Sequence, residues 1–410
     1  MEIRPILSAL LRNKTGAILV AVQVAISMTI LANALHIVNV RQAVAARPSG
    51  VEDEESVFYV NVRNLATMGP EEQSATQKRE AAALAAVPGV VSVANVNQIP
   101  LTRNGSTNSV AIDRKQVNET ANAAFYVTPD SIVKTWGLKI VDGRDFKPED
   151  VREIDTQTSQ DFPPIVMITK ALADKAYPGQ SAVGKPLFFG TGEDAREVRI
   201  VGVVERLQSQ QAQVGMDGEY STIVPVRLLG FPGSTYTVRA EKGQRDRVMK
   251  EAEQAVRAIS PMPVILETKA LSDARKERYR ADMAMSWMLI TVSVLLLMIT
   301  ASGVVGMASL WVQQRRKQIG VRRALGARRT DILRYFITEN FMITSCGVVA
   351  GVLGAIGLNQ FLVAKLEMEK LPIPYLVTGS AVFWALGVLA VYGPAWRAAS
   401  ISPAMATRTA

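Results

Sequence analysis

Four stretches of the chain carry no formal charge: positions 16–40, 283–314, 340–364 and 371–396, each 25 to 32 residues long. A helix needs roughly 20 apolar residues to cross the hydrocarbon core of a bilayer. The pattern therefore predicts four membrane-spanning helices, at 15–40, 283–312, 337–364 and 371–396. Positions 45–280, between the first two spans, read differently. At 56–62, Phe58, Val60 and Val62 alternate with Val57, Tyr59 and Asn61, the period of a strand. A Glu-, Gln-, Lys- and Ala-rich helix over 70–87 stops at Pro88-Gly89, and a strand over 90–96 follows. The same order recurs late, with a helix over 243–259, Pro261 and Pro263 as breakers, and an extended 264–267. Two helix-then-strand units at opposite ends of one segment predict a split βαβ sheet closed by both termini. Between them, strand signals fall at 163–169, 186–189 and 198–204, with a helix over 169–177. The expected fold class is a membrane protein: an α-helical four-span bundle with a large extracytoplasmic α/β (α+β) domain inserted between spans one and two.

The edges of these segments carry further information. Residues 268–283, TKALSDARKERYRADM, are polar, favour helix and run into the second span without a break signal. They predict a helical stalk, either one continuous helix of about 45 residues measuring roughly 65–70 Å or a helix that kinks at the membrane surface. At 1–14, Ile3, Ile6, Leu7, Leu10 and Leu11 share one helical face while Arg4, Arg12 and Lys14 lie elsewhere, the pattern of a short helix in the membrane interface. The first apolar run far exceeds the 7–15 residues of a signal-peptide core, so it reads as a retained anchor. Small residues four apart, Gly347 and Gly351 in the third span and Ser302 and Gly306 in the second, allow close helix approach.

Charge sets the orientation. Residues 313–336 hold eight Lys or Arg and one acid, and short cytoplasmic loops collect such cations. With this loop, the N-terminus and the 397–410 tail placed inside, the inner segments sum to +11, whereas the whole chain is +9. The basic balance is thus a topology signal and not the footprint of nucleic-acid binding, since no basic, aromatic-interleaved patch appears in the polar domain.

Catalytic chemistry finds little support. One histidine, His36, and one cysteine, Cys346, leave no zinc cluster, no Cys/His pair and no internal disulfide. Gly179 to Lys185 imitates a phosphate loop, but Pro186 replaces the hydroxyl that would hold magnesium, and the turn lies between a helix and a strand in the wrong order. Ser131-Ile-Val-Lys134 matches an acyl-enzyme tetrad with no usable partner motif. Glu339, near one end of the third span, is a candidate because charge at membrane depth is expensive.

Residues 312–340 carry a resemblance. The run QQRRKQIGVRRALGARRTDILRYFITEN resembles the element between spans two and three of the FtsX-like permeases, including the membrane half of MacB-type ABC transporters. The family's "EIG" corresponds to Gln318-Ile319-Gly320, with Gln318 in place of glutamate, and its "RALGA" to Arg323-Ala324-Leu325-Gly326-Ala327. The segments FYVTPDSIVKTWGLKIVDGRDF at 125–146 and 164–204 are similar to MacB-like periplasmic domains. The resemblance implies an inner-membrane permease without its own nucleotide site, driven by a separate ABC ATPase that holds ATP and magnesium. It implies pairing with a second permease copy, identical or different, and a periplasmic adaptor. It also implies ATPase coupling through Arg315, Arg316, Gln318, Ile319, Gly320, Val321, Arg322, Arg323, Ala324, Leu325, Gly326 and Ala327. Of these, Ile319, Val321, Ala324 and Leu325 would form an apolar docking patch, with turns at Gly320 and Gly326. A regulatory scaffold of FtsX type and a lipoprotein-release permease are the alternative expectations.

Overall fold

The computed structural model describes residues 14–65, 67–159, 161–213, 215–366 and 369–400. The interfacial helix expected at 1–14 and the tail beyond residue 400 lie outside these, apart from Lys14. The chain forms two units, residues 44–281 and, together, residues 1–43 and 282–410.

Residues 44–281 hold two sheets. The first contains β1 (Val57–Asn64), β2 (Val90–Val96), β11 (Gly233–Ala240) and β12 (Val264–Ala270), in the order β12-β1-β11-β2 and antiparallel throughout. Helix α2 (Pro70–Ala85) links β1 to β2, and helix α5 (Arg245–Ile259) links β11 to β12. This is the split sheet expected from the two helix-then-strand units. Strand parity divides its faces. Phe58, Val60, Val62, Tyr236 and Val238 pack under both helices with Leu84, Val248, Ala252 and Val256. Val57, Tyr59, Ala94 and Val96 point the other way.

The second sheet was only partly foreseen. Its strands are β3 (Thr107–Ala111), β4 (Ala121–Thr128), β5 (Ile140–Gly143), β6 (Arg152–Asp155), β7 (Ile165–Thr169), β8 (Pro186–Phe189), β9 (Arg196–Val204) and β10 (Ser221–Leu229). Six of them run β4-β3-β8-β9-β7-β10, and a parallel β4–β10 pairing closes the ring. Strand β5 adds to β9, β6 adds to β10, and the expected helix after β7 is α4 (Lys170–Ala176). Alternation again assigns the side chains. Val166, Ile168, Val198, Ile200, Val224 and Leu187 fill one core. Met167, Ala124, Tyr126 and Ile223 face out to join Ala94, Val96 and Trp136 of the split-sheet core. Burying a side chain of this size contributes about 1.5–3 kcal/mol.

The described residues of 14–43 and 282–400 are mostly helical. Helix α1 (Lys14–Ala46), α6 (Leu271–Gln314), α8 (Arg329–Leu366) and α9 (Ile373–Ala399) are long and apolar enough to cross a membrane. The stalk segment from Leu271 and the second span form one continuous helix, α6. Polar groups cross between helices where lipid offers no partners. Ser27 and Thr300 hydroxyls pair at 2.8 Å, Gln23 donates to the Ile299 carbonyl at 3.0 Å, and Asn33 donates to the Ala355 carbonyl at 3.1 Å. Gly347 meets α1 so closely that a Cβ there would lie 2.7 Å from the Ala21 carbonyl; one at Gly351 would lie 2.7 Å from the Met28 Cβ. Ser302 and Gly306 do not share this role. Both are exposed, and a Cβ at Gly306 would have no neighbour within 4 Å. In the second span it is Gly303, next to Ser302, that lies against Gln23.

Two expectations follow. Gly347→Leu will lower the melting temperature of the detergent-solubilised chain, at an overpacking cost of about 1–3 kcal/mol, whereas Gly306→Leu will leave it unchanged. Glu80, on α2 beneath the split sheet, has its carboxyl pushed above the usual range by burial, against the opposing pull of hydrogen bonds from Tyr236 and Asn64. A raised carboxyl favours the fold below the unfolded-state pKa and loses that contribution as pH rises through the folded-state value. Glu80→Gln will therefore stabilise the chain increasingly as pH climbs from 4.5 toward 7. Thermal melts across that range check it; a constant difference between variant and parent would refute the assignment.

Candidate functional site

The segment between spans two and three folds as a short helix and a turn. Arg315, at φ −97° and ψ 9°, separates α6 from helix α7 (Arg316–Ala324), while its amide still donates to the Trp311 carbonyl at 3.1 Å. Gly326, at φ +97°, closes α7 in the left-handed conformation that favours glycine. The Leu325, Gly326 and Ala327 amides donate back to Val321, Arg323 and Arg322 carbonyls at 3.0, 3.2 and 3.0 Å. The Asp331 carboxylate accepts from the Arg328 amide at 2.9 Å, opening α8.

A buried ion pair fixes this hairpin. Glu339 is 1% exposed on α8, and its Oε2 accepts from Arg315 Nη1 at 2.7 Å. The same Nη1 lies 3.3 Å from the Tyr335 hydroxyl, and the Arg322 guanidinium stacks 5.2 Å from the Tyr335 ring centre. Arg323 donates to the Ala399 carbonyl at the end of α9. Breaking one partner of a buried pair costs about 3–5 kcal/mol, because the other charge is left uncompensated. The sequence flagged Glu339 and Arg315 separately; their partnership, across a helix break and a turn, was missed.

The structure redistributes the expected docking patch. Ile319 is 5% exposed and belongs to the helical core with Ile332 and Phe336. Residues two, five and six positions beyond it in a helix lie on the opposite face. Val321, Ala324 and Leu325 accordingly face solvent, Leu325 at 83% exposure. Gly320 is buried within α7 and makes no turn, so Gly326 alone supplies one. Around the exposed apolar residues stand Arg316, Lys317, Gln318 and Arg322, all exposed. Ala327 is half-buried in the turn.

The two motif mimics have structural duties. Ser131 caps the helix α3 (Ile132–Trp136): its hydroxyl accepts from the Lys134 amide at 3.0 Å and donates to Asp145 at 2.6 Å, while the Lys134 side chain is exposed. Lys185 donates to Gln180 at 2.5 Å and sits 4.5 Å over the Tyr177 ring, in a turn where Gly179 and Gly184 adopt φ of +70° and +83°. Among the described residues no group of three His, Cys, Asp or Glu is placed to hold a metal ion.

The MacB-like periplasmic core domain matches residues 17–257, and the FtsX-like permease C-terminal region matches residues 290–403. The chain is 27% identical over 218 residues to the pyoverdine export ATP-binding/permease protein PvdT of Pseudomonas savastanoi pv. phaseolicola, covering 51% of this chain and 32% of that protein. It is 24% identical over 311 residues to the Bacillus subtilis ABC transporter permease YvrN, covering 69% of each. The periplasmic region of MacB from Actinobacillus actinomycetemcomitans aligns with 53% of this chain and 91% of its own, at 14% identity and a TM-score of 0.34. This chain thus spans about a third of the length of relatives such as PvdT. With the larger match covering more than half of its length, the chain belongs to the family of permeases with a MacB-like periplasmic core domain, and its C-terminal region is of the FtsX-like permease type.

Proposed function

We propose that this chain is the permease subunit of an ABC transporter of MacB type, driven by ATP hydrolysis on a separate nucleotide-binding subunit. The observation that carries the reading is α7: a basic helix whose Val321, Ala324 and Leu325 face solvent while its buried side is tied to the spans through Arg315–Glu339 and Ile319. An exposed apolar knob rimmed by cations suits a groove on a partner, with the apolar contact supplying affinity and the charges orientation. A helix so anchored moves with its spans. The ion pair is what makes the segment a lever.

In this reading the basic segment and both termini lie in the cytoplasm and the inserted domain in the periplasm, with the excess of cations inside. A second permease copy meets the second ATPase subunit, and a periplasmic adaptor receives the motion. The unbroken α6 offers a direct mechanical path from α7 to the stalk segment, so the work consists of moving the periplasmic domain outside the bilayer. Names borne by the relatives, pyoverdine export among them, favour efflux as the direction.

The test is co-purification of the tagged chain from native membranes in mild detergent. An ATP-hydrolysing subunit will accompany the parent and be lost from Val321→Asp/Leu325→Asp, which alters only exposed positions. A well-inserted chain that arrives without an ATPase would overturn the reading. Glu339→Gln will leave the partner bound, because α7 keeps its exposed face, but will lower ATP-driven transport at least tenfold. Wild-type transport by Glu339→Gln would remove the lever from the account.

A further inference from the structure

The inserted domain contains a cavity of about 560 Å³ that the transport reading does not use. Its walls come from the split sheet (Tyr59, Asn61, Thr235, Glu267), from the loop around Arg103, and from the first turns of α6. Three non-glycine residues have positive φ among the described residues: Leu101 at 67°, Arg103 at 65° and Ala212 at 46°. Such conformations cost of order 1–3 kcal/mol each and persist where the surroundings over-determine them, as they do at ligand clamps. All three belong to one clasp. Leu101 is fully buried and packs with Ala212 and Tyr279, and the Arg103 amide donates to the Gln210 carbonyl at 2.8 Å. The strain holds Arg103, itself exposed, at the cavity wall.

The lining is polar and biased in charge. Four cations, Arg103, Lys269, Arg278 and Arg280, face two acids, Glu267 and Glu277. Lys269 and Glu277 pair with each other, and the pairing holds the Glu277 carboxyl below its usual range. The remaining balance is positive, with Glu267 the one acid not in an ion pair there. Tyr59 has its phenol pushed up to about 12 by burial and by the charges of Glu267 and Glu277, so it stays a neutral hydrogen-bond donor. Asn61, Asn104 and Thr235 add side chains that both donate and accept.

We propose that this cavity binds a short peptide with a free C-terminal carboxylate, the carboxylate set against Arg103 and Arg280 and the amino end toward Glu267. Cations in a partly enclosed site select for an anion, and amide and hydroxyl walls match the alternating donors and acceptors of peptide groups. Lys269 precedes α6, and Arg278 and Arg280 lie within it, so occupancy is registered at the head of the helix that becomes the second span. The site does not depend on any ATPase partner.

Binding is measured by calorimetric titration of the full chain in detergent with tetra-alanine, with tetra-alanine amide and with glucuronic acid. The free peptide will bind at least tenfold more tightly than its amide, a difference of about 1.4 kcal/mol, and hydrogen exchange will slow at 99–105. Arg280→Gln will weaken the free peptide at least tenfold and leave the amide unchanged. Arg103→Asn will do the same while holding or raising the melting temperature, since asparagine tolerates the left-handed conformation better than arginine. Equal affinity for acid and amide, no binding at millimolar concentration, tighter binding of glucuronic acid, or unaltered binding by both variants would each overturn the proposal.

Discussion

A carboxylate cannot be left alone among apolar helices, and the molecule answers that constraint at Glu339. Its partner, Arg315, stands at the junction of α6 and α7, so satisfying one buried charge fixes the start of the basic helix. Ile319 then enters the helical core, and Val321, Ala324 and Leu325 are turned outward as a geometric consequence. The exposed face of α7 is therefore set from its hidden side. What a partner would touch is set by contacts that it never reaches.

The same economy organises the spans. Helix α1 meets α8 along Gly347, Gly351 and Asn33, and meets α6 through Gln23 and Ser27. Apolar side chains gain nothing by leaving lipid for one another, so close backbone approach and hydrogen bonds must supply the specificity. In the inserted domain the driving force is different. Strand parity sends alternate residues of β4, β7 and β10 into two separate cores, and one sheet serves both.

Much of this was legible in the sequence because it is local. Charge-free runs mark the spans, and the α2 and α5 boundaries follow from Pro88-Gly89 and Pro261. What escaped is long-range. The β4–β10 pairing that closes the ring joins residues about 100 positions apart, and no local pattern encodes it. Strand β10 was also masked by Pro225, which normally argues against an interior strand. It is tolerated at the last β4 pairing, next to Val226, where pairing with β6 begins. The inward turn of Ile319 was misread for a simpler reason. Once residues 316–324 are helical, the helical period alone separates Ile319 from Val321 and Leu325. The cavity had no sequence signature, since its charges bring Arg103 together with residues 267–280 from far along the chain.

The position of β1 has a consequence for biogenesis. Val57 pairs with Arg239, and Phe58 with Ala270, so the strand that leaves the membrane first has no sheet neighbour until the domain is nearly complete. All six strands of the ring lie between those partners in the chain and are available to assemble earlier. During export, β1 must wait with both edges open beside a growing barrel, the situation in which foreign strands are captured. Its central place in the finished sheet is thus also its main hazard on the way there.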